Sequence, residues 1–142
     1  MTTPSSLRNR VCSVILLLVS AFYAYGALVH VLNMLSLTGF DWTNAPIKWQ
    51  VLDIVYLVLD VLVVAGLYRV RQYAVFAFYT AALSQIVVYT VLRSWIMDVP
   101  EAYAITPEQN TYLTGLVIYH LITLTLVSLA LKFRPAQDKL AT

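Results

Sequence analysis

Four long apolar stretches constrain this chain more than any other feature of its sequence. They run over about residues 11–35, 49–70, 73–96 and 107–133. Each reaches the roughly 20 residues that a helix needs to cross a hydrocarbon core about 30 Å thick. The five prolines fall outside the apolar parts of the stretches, so each can form a continuous helix that satisfies its own backbone hydrogen bonds. The sequence therefore predicts an all-α integral membrane protein, a four-helix antiparallel bundle in a single domain of residues 1–142.

The composition does not provide enough charged surface for a water-soluble domain. Hydrophobic residues make up 61% and charged residues 11% of the 142 residues, whereas soluble domains carry roughly a quarter charged residues. The formal net charge is only +2, and no run of lysines or arginines concentrates it. This argues against nucleic acid as a partner. The single cysteine, Cys12, excludes an internal disulfide or a cysteine-based metal cage.

The positive charges are distributed unevenly between the two sides of the predicted bundle. With the N-terminus inside, seven of the nine lysines and arginines are cytoplasmic and only Lys48 and Arg93 are external. The seven are Arg8, Arg10, Arg69, Arg71, Lys132, Arg134 and Lys139. Because such residues concentrate on the cytoplasmic side, we expect both termini in the cytoplasm, in a bacterial inner membrane. We expect the first span to be retained, because its apolar run exceeds the roughly 7–15 residues of a signal peptide core.

Two connections between the spans carry local signals. Spans two and three are separated by little more than Arg69-Val70-Arg71, which predicts a tight antiparallel hairpin. Before span four, the sequence Thr106-Pro107-Glu108-Gln109 places a threonine N-cap, a proline at the first helical position and a glutamine that closes a capping box. We therefore expect the fourth helix to begin at Pro107.

Polar residues inside the spans recur at helical spacing. On span two, Asp53, Tyr56 and Asp60 are separated by three and four residues and share one face. Such residues usually face the interior of a bundle or a cavity. By the helical rise of about 1.5 Å per residue, they fall mainly in the outer half of the bundle, which predicts a pocket that opens outward or sideways. The candidate ligand-binding residues are His30, Asp53, Tyr56, Asp60, Gln85, Tyr89, Arg93 and His120. No catalytic residue is assigned.

Both carboxylates also have a purely structural interpretation. Asp53 could pair with His30 or Arg93 and set the register of the helices. Asp60 lies near the midplane by the same helical rise, where a carboxylate needs a partner or a proton. Gln85 and His120 lie at a suitable depth to partner Asp60. The sequence leaves these alternatives open.

The predicted pocket suits a lipophilic ligand better than haem or a metal ion. His30 and His120 are the only histidines, and their depths differ by about 9 Å, which counts against bis-histidine haem. The same spread, extended to Asp53 and Asp60, counts against a shared metal ion. A quinone or sterol-like molecule could enter from lipid and be held by a histidine, aspartate or tyrosine. Asp60 and His120 could equally form an acid–base pair or a proton relay.

The segment VLDVLVVAGLYRVRQYAVFAFYTAAL, residues 58–83, resembles the DoxX-like group of four-helix membrane proteins. The resemblance covers about residues 23–83 and includes Asp60, Gly66, the basic turn, the Tyr79-Thr80 pair, and Phe40 after the first helix. Several members of that group are small subunits of respiratory or sulfur-oxidising complexes. A second likeness is to the emopamil-binding-protein group, which includes a sterol isomerase. It rests on the acidic residue of helix two, the tryptophan-rich outer edge and Arg134-Pro135.

Taken with the resemblance, the sequence predicts an accessory or scaffold subunit of a larger membrane complex, for instance a respiratory or redox complex. Its expected partners are the lipid bilayer and other membrane subunits or further copies of itself. The alternative is a stand-alone enzyme or binder of lipophilic substrates that uses Asp60 and His120 as an acid–base pair. No cofactor is firmly implied.

Overall fold

The computed structural model describes residues 4–39 and 41–133, and this part of the chain contains helices and no strand. Its α-helices are α1 (Pro4–Met34), α2 (Ile47–Gly66), α3 (Gln72–Tyr89), α4 (Arg93–Met97) and α5 (Pro107–Phe133). Single-turn 3-10 helices lie at Trp42–Asn44 and Glu101–Tyr103. The predictions that involve Phe40, Arg134, Pro135 and Lys139 lie outside the described residues.

Three of the helices are long and apolar enough to cross a membrane. They are residues Leu7–Met34 of α1, the whole of α2 and the whole of α5. This agrees with the predicted membrane class. The third predicted span differs, since α3 has 18 residues, including Gln72 and Gln85, and is not one of the three.

The expectation of one continuous helix over residues 73–96 is wrong. Helix α3 ends at Tyr89, and the chain turns at residues 90–92 before α4 begins at Arg93. The Thr90 hydroxyl donates to the carbonyl oxygen of Ile86 at 2.6 Å. The amide of Leu92 reaches back five residues to the oxygen of Val87 at 3.0 Å. A threonine side chain that bonds to the preceding turn competes with helical geometry, and the apolar pattern alone does not reveal this.

The four long helices pack in a closed order. Helix α1 contacts α2 and α5, while α3 contacts α2 and α5. One apolar core lies towards the α2–α3 turn and contains Leu16, Val63, Leu67, Phe78 and Val127, all fully buried. We call this end of the molecule the turn end. The opposite end carries the connections over residues 35–46 and 98–106, and we call it the loop end.

The outward faces of the helices are strongly apolar. Large side chains are exposed along all four long helices, including Leu18, Val58, Phe76, Leu83 and Leu121. Phe76 is 73% exposed. Large apolar side chains exposed on every long helix are unusual for a water-soluble monomer, and they suit contact with lipid or with another membrane protein.

The predicted tight turn between α2 and α3 and the predicted capping box before α5 are both confirmed. At the α2–α3 turn, the Arg71 amide donates to Gly66 at 3.0 Å and the Val70 amide donates to Leu67 at 2.9 Å, which is the hydrogen-bond pattern of a Schellman motif. At the start of α5, the Thr106 amide donates to the Gln109 side chain at 2.9 Å. The Gln109 amide donates back to the Thr106 hydroxyl at 3.3 Å, so the capping box is formed.

We predict that Gly66→Ala destabilises the protein, because a Cβ at Gly66 would lie 2.7 Å from the Tyr73 hydroxyl and 2.8 Å from the Ala74 Cβ. Overpacking of this kind costs about 1–3 kcal/mol. Gly115→Ala in α5 is the matched control, since its Cβ would meet nothing within 4 Å. Removing that helical glycine should stabilise by about 0.5–1 kcal/mol. Thermal unfolding in detergent measures both, and a Gly66→Ala protein as stable as the wild type would contradict the packing.

Candidate functional site

The carboxylate of Asp53 is a buried polar group that three other side chains contact. It is 7% exposed and accepts hydrogen bonds from three directions. His30 Nδ1 lies 2.7 Å and Asn33 Nδ2 lies 3.0 Å from Oδ1, while Trp42 Nε1 lies 3.0 Å from Oδ2. Because a buried carboxylate is costly unless its oxygens accept hydrogen bonds, these donors explain how Asp53 is accommodated. They also tie α1 and the 35–46 connection to α2.

His30 lies between two carboxylates. Its Nδ1 contacts Asp53, and its Nε2 lies 3.8 Å from Oδ2 of Asp60. Asp60 follows Asp53 by two helical turns on the same face of α2, which allows one imidazole ring to reach both. Of the two partners considered for Asp53, the structure shows His30.

Arg93 stands apart from the other predicted site residues. Its guanidinium donates to the Asn110 side chain at 2.6 Å, to the Asn110 carbonyl at 3.1 Å and to the Thr114 hydroxyl at 3.1 Å. It also reaches the Tyr89 carbonyl at 3.3 Å. These bonds join α4 to the first turns of α5, so Arg93 connects the segment after the end of α3 to α5.

Asp60 is 3% exposed, and its surroundings differ from the expected ones. Neither Gln85 nor His120 hydrogen-bonds to it among the described residues, and its Oδ1 has no hydrogen-bond partner there. A Cβ on Gly26 would lie 2.5 Å from Oδ2. Gly26 therefore makes room for Asp60, since its missing side chain leaves the space that the Asp60 carboxyl occupies.

Two adjoining cavities lie among these side chains. The outer chamber, towards the loop end, has a volume of about 350 Å³, and the inner chamber has a volume of about 220 Å³. Four of the predicted residues line both chambers, namely His30, Asp53, Tyr56 and Tyr89. Three more line the inner chamber only, namely Asp60, Gln85 and His120. The structure thus places seven of the eight predicted residues around one pair of cavities and leaves Arg93 outside.

Sequence reasoning missed Trp42, whose indole donates a hydrogen bond to Asp53. The Asp41 carboxylate caps the 3-10 turn, accepting bonds from the Thr43 hydroxyl at 2.6 Å, the Thr43 amide at 3.0 Å and the Asn44 side chain at 2.7 Å. Hydrogen bonds from Thr43 and then Asn44 hold the pKa of Asp41 below its usual value. The capped turn positions the Trp42 indole over Asp53. The Asp41-Trp42-Thr43 order was the available signal, because Asp is a preferred N-cap residue.

A comparison of the chain with protein-family models, with curated proteins and with solved structures found no match. The likeness to the DoxX-like group therefore remains a prediction, and the site has to be interpreted from its own geometry.

We predict that Trp42→Phe destabilises the protein by about 1.5–3 kcal/mol, the usual contribution of a hydrogen bond to a charged group. Asp53→Ala should cost more, because it leaves the donors of His30, Asn33 and Trp42 without their acceptor. Trp95→Phe is the matched control, since the Trp95 side chain is half-exposed and a phenylalanine ring keeps an aromatic face for the Lys48 ammonium, which lies 5.3 Å from the Trp95 ring. This change should alter stability by less than about 0.5 kcal/mol. Chemical unfolding in detergent gives all three values. Equal effects of the two tryptophan changes would refute the role given to Trp42.

Proposed function

We propose that this chain is a four-helix antiparallel membrane bundle that binds a small lipophilic molecule, such as a quinone or a sterol-like compound, in its two-chambered cavity. The bundle crosses a bacterial inner membrane four times, with both termini in the cytoplasm and the loop end outside. It serves as an accessory subunit of a larger membrane complex.

The four-span part of the proposal is supported by the length and packing of α3. Its 18 residues correspond to about 27 Å of helix, close to the thickness of a hydrocarbon core. The core brings together Cys12, Leu67, Ala74 and Ala130, so the start of α1, the α2–α3 turn and the end of α5 lie at one end. The positive charges of these segments therefore lie at the same end, as expected for a cytoplasmic face.

The cavity pair is the observation that carries the binding proposal. Ligand sites combine a mainly apolar lining with a few convergent polar groups. Here Leu52, Ile96 and Leu113 line the outer chamber, while His30 joins the buried carboxylates of Asp53 and Asp60 along the wall. A lipophilic molecule could place its apolar body in the outer chamber and a polar end in the inner one.

The subunit role is supported by the resemblance to the DoxX-like group and by the apolar outward faces of the helices. Apolar surface that meets lipid also allows packing against other membrane helices. Gentle solubilisation followed by native mass spectrometry would detect both partner chains and retained small molecules.

We predict that Leu113→Trp abolishes ligand retention, because Leu113 lines both chambers and the larger ring would fill them. Leu121→Trp is the matched control on the same helix, since Leu121 is 52% exposed and lies outside both chambers. Organic extracts of purified wild-type and Leu121→Trp protein should contain the same non-phospholipid molecule, and extracts of Leu113→Trp should lack it. A wild-type extract with phospholipid only, or equal retention by Leu113→Trp, would overturn the proposal.

A second candidate function is acid–base chemistry by Asp60 and His120. One observation favours it: Asp60 Oδ1 and His120 Nε2 are both buried without a hydrogen-bond partner among the described residues, and both residues line the inner chamber. Two such groups could act on one bound molecule.

Asp60→Asn separates the two candidates. If Asp60 serves binding and structure, the amide keeps the shape of the carboxyl and its contact with His30, so stability, partner co-purification and the host growth phenotype should be preserved. Asp60→Leu should damage all three, because His30 Nε2 would face an apolar side chain. A stable and fully assembled Asp60→Asn protein without its phenotype would instead favour acid–base chemistry, since an amide does not exchange that proton.

A further inference from the structure

We propose that the inner chamber recognises a hydroxyl group through His120 and Tyr23, so that the bound molecule is a lipophilic alcohol or phenol, such as a quinol, and not a ketone or a quinone. This inference rests on the proposed ligand-binding function. Of the two ligand classes named there, it keeps the sterol-like alcohol and replaces the quinone by its reduced form, the quinol.

The first step concerns the tautomer of His120. Its Nδ1 lies 2.7 Å from the backbone oxygen of Leu116. A carbonyl oxygen only accepts hydrogen bonds, so Nδ1 carries the proton. The ring is 1% exposed and no carboxylate of the described residues lies within 4 Å of it. A second proton would bury an unpaired charge, and Nε2 is therefore a hydrogen-bond acceptor.

The second step concerns what that acceptor faces. His120 Nε2 has no partner among the described residues, and the same holds for the Tyr23 and Tyr56 hydroxyls and for Asp60 Oδ1. Among these, Tyr23 has its ring beside that of His120. Tyr23 is 2% exposed, and its ring lies 6.2 Å from the His120 ring at an angle of 88°. Both residues line the inner chamber. Buried polar atoms are rarely left without partners, so this pair of atoms marks a place for a polar group that the chain itself does not supply.

The third step matches the chemistry of the pair. A hydroxyl group can donate to His120 Nε2 and accept from the Tyr23 hydroxyl at the same time. A ketone, quinone or ether oxygen can only accept, so it would leave Nε2 unsatisfied. Sites that hydrogen-bond a hydroxyl reject analogues that lack it, because their own polar groups are then stranded.

A bound water molecule is the competing occupant, since it also donates and accepts. If water fills the position permanently, the chamber gains nothing from the ligand's hydroxyl. A site filled permanently by water should bind a phenol and its methyl ether with similar affinity, whereas a site that takes the ligand's hydroxyl should prefer the phenol.

The test compares 4-hexylphenol with 4-hexylanisole, its methyl ether, by titration calorimetry of the protein in lipid nanodiscs, with empty nanodiscs subtracted. We expect the wild type to bind the phenol at least about tenfold more tightly than the ether, the effect of one well-formed hydrogen bond. In His120→Leu this ratio should fall to about one. Thr123→Val is the matched control on α5, because the buried Thr123 hydroxyl donates to the backbone of its own helix. It should keep the wild-type ratio.

Tyr23→Phe provides a second variant, which keeps the ring shape if His120→Leu fails to fold. Tyr23→Phe should lower the affinity for the phenol and for the ether by a similar factor, because the Tyr23 hydroxyl donates to the oxygen that both molecules carry. A wild-type ratio near one, with both probes bound, would overturn the hydroxyl inference and leave the cavity proposal standing. If neither probe binds to the protein beyond its binding to empty nanodiscs, the hydroxyl inference and the cavity proposal are both overturned.

Discussion

A carboxylate buried between helices has to be surrounded by hydrogen-bond donors, and Asp53 imposes this requirement on the loop end of the molecule. Its donors come from α1 through His30 and Asn33 and from the 35–46 connection through Trp42. These bonds set the register between α1 and α2 and hold the connection against the helix ends. Because leaving any of the donors without Asp53 would be costly in a site away from water, the three segments are positioned together.

The cavity follows from the different packing of the two ends. Towards the turn end, Ala74, Ala77 and Ala81 of α3 are fully buried against the neighbouring helices, and small residues of this kind let helices approach closely. Towards the loop end, the bonded polar groups and the rings of Tyr56, Tyr89 and Tyr112 keep the helices apart, and both chambers form there. Polar side chains thus form part of the cavity wall, while apolar packing closes the cavity towards the turn end.

Two kinds of polar group occur around the chambers, and the difference matters for function. Asp53 has its donors within the protein, which is what a structural role requires. Asp60 Oδ1, His120 Nε2 and the hydroxyls of Tyr23 and Tyr56 lack hydrogen-bond partners among the described residues. A buried polar group without a partner carries a desolvation cost that a bound molecule can relieve. The binding and hydroxyl proposals both depend on this second kind of group, and the structural role of Asp53 does not argue against them.

The sequence by itself determined the features that depend on local pattern: the helical class, the tight α2–α3 turn, the capping box before α5, and the common face of Asp53 and Asp60 on α2. Their physical basis is contained in a few consecutive residues or in the 3.6-residue period. Tertiary structure decided which side chains contact one another. It joined Asp53 to Trp42 across a connection, gave His30 two carboxylates, placed Arg93 on α5 and ended α3 at Tyr89. Each outcome depends on distances between segments far apart in the chain, and no local pattern specifies such distances. Seven residues that line the cavity could therefore be named from the sequence, and His30 was one of two partners considered for Asp53. The places of Tyr23, Asn33 and Trp42 and the surroundings of Asp60 came only from the tertiary structure.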